Sequence, residues 1–200
     1  MTYTYLALGD SYTIGEGVPV YENFPYQAVK NLRSAGYAFH APEIVAKTGW
    51  TTDELQHGIE DWPLLVSYHF VTLLIGVNNQ YRGRSVDQYA PEFALLLDEA
   101  IGFAAGQRNR VFVLSIPDWG ATPFAEGRDR EQIAREIDAF NEAALGISRQ
   151  HGVHFLNITP GTREAAADKS LLAADHLHPS GKEYARWANQ LAAGIINEIK

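Results

Sequence analysis

The sequence predicts a three-layer α/β/α sandwich, in which a five-stranded parallel sheet carries helices on both faces. Five short apolar runs recur along the chain, and the segments between them repeat apolar residues at helical spacing. Strands that alternate with helices in this way form parallel sheets whose crossover helices cover both faces. With 200 residues, 46% of them hydrophobic, the chain can bury such a core without disulfides or metals. We expect residues 1–200 to form one domain.

The predicted strands are mostly continuous in apolar residues rather than alternating, as is typical of strands buried on both sides. They cover residues 3–8, 43–46, 70–75, 110–116 and 153–158.

Capping signals place the helices between these strands. Gly36 ends a helix predicted over residues 23–35, and Pro91 is expected either to kink the helix within residues 85–105 or to mark its start. Three capping boxes are predicted, formed by the pairs Thr51 and Glu54, Asp129 and Gln132, and Ser180 and Glu183. The last helix follows the third box, with its apolar residues at core spacing.

Composition excludes several classes of function. The formal charge of −8, without clustered Lys and Arg, argues against nucleic acid as a partner. Without cysteine there are no disulfides and no thiolate chemistry. No stretch resembles a secretory signal or a membrane span. The protein is therefore expected to be soluble, and cytoplasmic unless a leader peptide has been removed; its oligomeric state leaves no pattern in the sequence.

Three residues from opposite ends of the chain could form a nucleophilic site. Ser11 follows the first predicted strand, and Asp175 and His178 lie together near the other end. A serine hydroxyl is a poor nucleophile unless a histidine takes its proton and a carboxylate holds that imidazole. The sequence therefore predicts catalysis by Ser11, His178 and Asp175, although Ser11 alone could equally be a helix cap.

Two further features follow the ends of predicted strands. Gly49 could let a backbone N–H approach a ligand, and Asn78 could donate its amide N–H to a developing oxyanion. Either could instead serve a simple turn. Because the carboxyl ends of parallel strands meet at one edge of the sheet, we expect both residues to lie near Ser11.

Other interpretations of the same residues remain open. Gly9, Gly15 and Gly17 could form a turn that binds a phosphate, as in a non-catalytic, flavodoxin-like binding module. Asp175, His176 and His178 could be metal ligands, although nothing in the sequence completes such a site and His176 is expected to face solvent. An ordinary α/β-hydrolase is excluded because no Gly-x-Ser-x-Gly nucleophile elbow occurs.

Taken in order, four sequence blocks resemble those of the SGNH or GDSL hydrolase family. They are Gly9-Asp10-Ser11-Tyr12 with Gly15, then Gly49, then Gly76-x-Asn78, and finally Asp175-x-x-His178-Pro179. The likeness spans nearly the whole chain. One departure is Asn79, where the family usually has aspartate, which puts the local hydrogen bonding in question.

This resemblance implies a flavodoxin-like fold, a Ser-His-Asp triad and no required cofactor or metal. It implies an oxyanion hole formed by the backbone N–H groups of Ser11 and Gly49 and the side chain of Asn78. The expected activity is hydrolysis of short acyl or acetyl esters of lipids, sugars or small alcohols through an acyl-enzyme, with a thioesterase of the same family as the alternative.

Aromatic residues near these loops are candidates for substrate contact. Trp50 and Trp119 are predicted to form an apolar wall for a short acyl chain or the face of a sugar. Tyr81 and Phe124 are weaker candidates, for which ordinary packing is the favoured interpretation.

Overall fold

The computed structural model describes all 200 residues and contains a five-stranded, wholly parallel sheet in the order β2-β1-β3-β4-β5. This is the doubly wound, flavodoxin-like order, and it confirms the predicted fold class. The strands are β1 (Tyr5–Asp10), β2 (Glu43–Lys47), β3 (Phe70–Leu74), β4 (Val111–Leu114) and β5 (His154–Leu156).

Helices lie on both sides of the sheet. They are α1 (Ser11–Ile14), α2 (Phe24–Ser34), α3 (Thr52–Glu60), α4 (Val77–Tyr81), α5 (Val86–Phe103), α6 (Arg130–His151), α7 (Thr159–Arg163) and α8 (Gly181–Ile199). Helices α2 and α8 pack against each other in one layer, while α3, α5 and α6 pack in sequence in the other. No helix is both long and apolar enough to cross a membrane.

The three central strands are buried along their whole length, whereas the edge strands β2 and β5 are partly exposed. This agrees with the continuous apolar runs, because a central strand of a three-layer fold meets helices on both faces. The core is closed by large aromatic side chains with almost no exposure, among them Trp187, Tyr5, Tyr89 and Phe93.

Local details differ from the predictions. Strand β1 runs two residues later than expected, because Gly9 and Asp10 continue the pairing with Ala46 and Lys47 of β2. Helix α5 begins at Val86 and continues through Pro91, so the proline does not mark its start. Pro91 is the sixth residue of α5, beyond the N–H groups that lack helical partners, so it removes one bond, to the Asp87 carbonyl; both residues are exposed to solvent.

Of the three predicted capping boxes, only the first is complete; the second lacks one of its two bonds, and the third is absent. Ser180 precedes α8, but its hydroxyl donates to the Ser170 carbonyl (2.7 Å) instead of capping the helix. Glu183 is buried and accepts from Trp187 Nε1 (2.9 Å). The box at Thr51 is present, and Asp129 accepts the Gln132 N–H without the reciprocal bond.

The sheet order brings three loops together. Strand β1 lies between β2 and β3, so the loops that leave the carboxyl ends of these strands are neighbours. Those loops carry Ser11, Gly49 and Asn78, respectively. The topology therefore positions one edge of the sheet for a site.

Candidate active site

Ser11 lies at the junction between β1 and α1. It is the first residue of α1, and Asp10 caps the helix by accepting the Tyr12 N–H (3.0 Å). The serine is only 4% exposed. Gly9 is required directly beneath it, because a Cβ there would lie 2.1 Å from Thr13 Oγ1 and 2.5 Å from the Leu74 carbonyl oxygen. A strand end packed this tightly fixes the direction of the serine side chain.

The other glycines of this loop are also explained by packing. Gly15 ends α1 in the left-handed conformation, with φ of 79°. A Cβ on Gly17 would lie 2.9 Å from the Ala173 side chain and 3.2 Å from Asp175 Oδ2. Close approach of the C-terminal loop therefore accounts for Gly17 without a bound phosphate.

Ser11, His178 and Asp175 form a continuous hydrogen-bonded chain. His178 Nδ1 lies 2.7 Å from Asp175 Oδ2, and His178 Nε2 lies 2.9 Å from Ser11 Oγ. A carboxylate only accepts hydrogen bonds, so Nδ1 carries the proton and Nε2 is left to accept from the serine hydroxyl. The two ends of the chain thus meet in an arrangement that can remove the serine proton.

The Asp175 carboxylate is held in its charged form. Burial raises its pKa, but the hydrogen bonds from the His178 ring and from the backbone N–H groups of Leu177 and His178 outweigh burial, and the pKa is lowered. Both backbone N–H groups donate to Oδ1 at 3.0 Å. An anionic carboxylate can stabilise the imidazolium that forms when His178 takes a proton.

Asn78 and Gly49 lie beside the serine. Asn78 Nδ2 donates to the Trp50 carbonyl (3.0 Å), which joins α4 to the loop after β2. Arg82 strengthens the same connection by donating to the Gly49 carbonyl (2.7 Å). Gly49 has φ of 84°, which favours glycine, and its N–H has no acceptor within the protein. The Gly49 N–H is therefore available as a donor to a bound oxygen, whereas Asn78 uses one N–H on Trp50 and has only a long contact, 3.4 Å to Asp10 Oδ2, for the other.

Asp10 is a fully buried carboxyl between Ser11 and Asn78. Burial raises its pKa to about 7, and the hydrogen bonds from the Tyr12 N–H and from Asn78 offset only part of this effect. The contact with Asn78 Nδ2 is long, at 3.4 Å. No role was predicted for Asp10, although its place directly before a helix is a recognised capping signal.

The neighbouring Asn79 is structural. It is fully buried, its Oδ1 accepts the Thr52 N–H (3.1 Å), and its Nδ2 donates to Thr52 Oγ1 (2.6 Å). The pair holds the start of α3 against α4. Asparagine thus makes both bonds, one as acceptor and one as donor, at the position where the family usually has aspartate.

A cavity of about 150 Å³ opens in front of Ser11; we call it the active-site cavity. Gly49, Asn78 and His178 line it, together with an aromatic wall. The wall consists of Tyr81, Trp119 and Phe124, whose ring centroids lie 5.2–6.2 Å apart.

Of the two tryptophans predicted to contact the substrate, only Trp119 lines the active-site cavity. Trp119 lines the active-site cavity, and its Nε1–H donates to Gln80 Oε1 (2.7 Å). Trp50 does not line the cavity, because its indole lies over Gly58 of α3, where a Cβ would approach the ring to 2.1 Å. Trp50 contributes only its backbone carbonyl, as the acceptor for Asn78.

Several residues that line the active-site cavity were not predicted. Tyr12 packs its ring against His178, with centroids 4.8 Å apart, and Leu177 and Val77 add apolar surface. The only signal in the sequence for these three residues is that each directly neighbours a predicted site residue: Ser11, His178 or Asn78.

His176 is exposed with φ of 59°, and no group of three or more His, Asp or Glu side chains is arranged to hold a metal.

Comparison with known structures supports the fold. A protein of the lipolytic G-D-S-L family from Veillonella parvula is 16% identical with a TM-score of 0.72, covering 96% of this chain and 98% of that chain. A psychrotrophic esterase from Pseudoalteromonas sp. is 17% identical with a TM-score of 0.70, and the match covers 98% of both chains. An acetylxylan esterase from Geobacillus stearothermophilus is 17% identical with a TM-score of 0.74, and the match covers 96% of this chain and 94% of that chain. No curated protein matches.

The family is established by sequence. The model of the GDSL-like lipase/acylhydrolase family matches residues 7–186, which include Ser11, Gly49, Asn78, Asp175 and His178. This match covers most of the chain and agrees with the predicted resemblance. The chain therefore belongs to the GDSL-like lipase/acylhydrolase family, and this membership supports a role as a hydrolase.

Proposed function

We propose that this protein hydrolyses carboxylic esters with Ser11 as the nucleophile. The single observation that supports this most strongly is the hydrogen-bonded chain from Ser11 Oγ through His178 to Asp175, at 2.9 and 2.7 Å. Ser11 Oγ attacks the acyl carbonyl carbon while its proton passes to His178 Nε2. Asp175 keeps the imidazole in the required tautomer and stabilises its positive charge.

Negative charge then develops on the carbonyl oxygen. The donors for it are the N–H groups of Ser11 and Gly49 and the side-chain amide of Asn78. Donors that are fixed before the reaction stabilise this charge more in the transition state than in the ground state, and each contributes roughly 3–4 kcal/mol. The hydrogen bond from Asn78 to the Trp50 carbonyl supports this assignment, because it fixes the amide.

The tetrahedral intermediate collapses when the bond to the leaving oxygen breaks and the His178 proton moves to the departing alkoxide. An acyl group remains on Ser11. Water then gives a proton to His178 and attacks the acyl carbon, and the acid leaves when the proton returns to Ser11. The reaction consumes only the ester and water, so these steps require no cofactor.

The active-site cavity favours a short acyl group. Its volume of about 150 Å³ is smaller than the ~300–1,000 Å³ that is usual for sites of drug-sized ligands. We therefore propose acetyl and other short acyl esters as substrates, with the aromatic wall of Tyr81, Trp119 and Phe124 beside the ester.

A direct test compares nitrophenyl acetate with nitrophenyl decanoate. Wild-type protein is expected to hydrolyse the acetate faster, and Ser11→Ala is expected to abolish the reaction without changing the thermal unfolding curve. The matched control is Ser34→Ala, since Ser34 is exposed at the end of α2. Full activity of Ser11→Ala would contradict the proposal.

A further inference from the structure

A second cavity adjoins the site. A polar groove of about 390 Å³ lies between the end of α4 and the start of α6, and it shares Tyr81 and Trp119 with the active-site cavity. Because the same two side chains border both spaces, the polar groove and the active-site cavity are adjacent at Tyr81 and Trp119. The groove is more than twice as large as the active-site cavity.

The wall of the polar groove is fixed by a hydrogen-bond network. Glu136 accepts from Gln80 Nε2 (2.8 Å) through one carboxylate oxygen and from Gln132 Nε2 (2.7 Å) through the other. Gln80 in turn accepts from Trp119 Nε1 (2.7 Å). Gln80 is buried, and its two bonds link the aromatic wall of the active-site cavity to the polar groove.

Three polar groups in the groove have no partner within the protein. They are the Arg128 guanidinium, the second carboxylate oxygen of Asp129 and the amide oxygen of Gln132. Their hydrogen bonds are available to a ligand, and they include both donors and acceptors.

The chemistry of these groups selects among classes of alcohol. An alkyl chain would displace water from them without replacing the hydrogen bonds, which is unfavourable. An anionic group would meet Arg128, but also the carboxylates of Asp129 and Glu136. A neutral polyhydroxylated ring can donate to the acceptors and accept from Arg128. Tyr81, with 47% exposure, offers an aromatic surface to the apolar face of such a ring.

We propose that the polar groove binds the alcohol portion of the substrate, and that this alcohol is a neutral sugar. The inference rests on the proposed ester hydrolysis at Ser11. The active-site cavity then holds the short acyl group and the ester carbonyl, while the sugar ring extends past Tyr81 and Trp119 to Arg128 and Gln132.

The test uses two acetate esters whose alcohols have similar size and opposite polarity. One is mono-O-acetylglucose, used as its mixture of positional isomers, and the other is cyclohexylmethyl acetate. Acetate release is measured for wild type, for the double variant Arg128→Ala/Gln132→Ala and for the control Arg135→Ala. Arg135 lies on α6 outside the groove, with its side chain 68% exposed.

Wild type is expected to prefer the sugar ester. In the double variant, the ratio of kcat/KM for the sugar ester to that for the hydrocarbon ester should fall about tenfold, the factor expected for one or two net hydrogen bonds. Arg135→Ala should leave the ratio unchanged.

The outcomes separate this inference from the proposed function. Preference of wild type for the hydrocarbon ester, or equal losses on both esters in the double variant, would overturn the sugar assignment while leaving ester hydrolysis intact. If wild type hydrolysed neither ester, the proposed function would be contradicted and, with it, this inference.

Discussion

The two loops that meet in the active site are fixed in different ways. The loop with Ser11 continues a fully buried strand, and its aspartate, Asp10, is enclosed. The loop with His178 is irregular, and its aspartate, Asp175, has a side chain that is 36% exposed. The first loop depends on the sheet, whereas the second depends on a few specific bonds, such as Ala173 N–H to the His178 carbonyl (2.8 Å).

The pKa values of the two aspartates shift in opposite directions, because burial and donated hydrogen bonds balance differently in the two environments. Enclosure without a cationic partner raises the pKa of Asp10 to about 7, while donated hydrogen bonds outweigh partial burial and lower the pKa of Asp175. Neighbouring carboxyls can therefore differ in charge at one pH. The comparison indicates that Asp175 serves as an anion and that Asp10 serves chiefly as a helix cap.

The largest expected effect comes from removing the base on the C-terminal loop. His178→Ala should lower kcat by on the order of 10⁵–10⁶, because no other group can take the Ser11 proton. The matched control is His176→Ala, which alters an exposed imidazole two positions away and should retain activity. The activity of each variant is measured by ester hydrolysis and its folding by a thermal melt. Comparable activity of the two variants would contradict the assignment of His178 as the base.

The next effect sharpens the contrast between the two aspartates. Asp175→Asn should lower kcat by roughly 10³–10⁴, because an amide at this position favours the wrong tautomer of His178. Asp10→Asn should keep most of the activity, since an amide oxygen can still accept the Tyr12 N–H. Equal losses in the two variants would show that the difference in environment has no functional consequence.

A smaller loss is expected on the loop after β3. Asn78→Ala should lower kcat by about 10²–10³ with little change in stability, because it removes one donor to the oxyanion. Asn79→Ala should instead lower the free energy of unfolding by about 1–3 kcal/mol, because it leaves buried Thr52 groups unpaired. Kinetics and urea unfolding of both variants distinguish these roles. A loss of stability in Asn78→Ala together with a loss of kcat in Asn79→Ala would overturn them.

The last prediction concerns the pH dependence of stability and involves no loss of catalytic rate. Native Asp10 binds a proton below about pH 7 and the unfolded residue only below about pH 4, so its contribution to stability falls as pH rises between these values. Asp10→Asn removes this slope. Relative to the variant, wild type should lose about 2–3 kcal/mol of unfolding free energy between about pH 5 and about pH 8.

The slope for Asp175 has the opposite sign. Because its native pKa is lowered, its contribution is present above the unfolded value of about 4 and is lost as pH falls further. Urea titrations of Asp175→Asn and Asp10→Asn should therefore diverge from wild type at opposite ends of the pH range. If the unfolding free energies of wild type and both variants changed in parallel with pH, the opposite pKa shifts of Asp10 and Asp175 would be contradicted.

The fold and the hydrogen-bonded site were largely predictable from the sequence. Continuous apolar runs identified five strands, and sheet topology then required Ser11, Gly49 and Asn78 to converge. The end of β1 was misplaced because Gly9 and Asp10 are unfavourable in strands, yet here they pair with β2. Local propensity could not reveal that partner.

Details that depend on tertiary packing were not predictable. Trp50 was expected at the substrate, but Gly58 provides a space that its indole fills. The Ser180 and Glu183 motif matches a capping box, but their partners are Ser170 and Trp187. The bond between Gln80 and Trp119 joins residues 39 positions apart, and no local pattern predicts it.

The central claim is that His178 activates Ser11 across the two ends of the chain. Labelling with a fluorophosphonate, followed by identification of the modified residue, tests it without knowledge of the substrate. The account predicts that Ser11 is the labelled residue in wild type and that His178→Ala loses the label. Labelling of another serine, or undiminished labelling of Ser11 in His178→Ala, would contradict it.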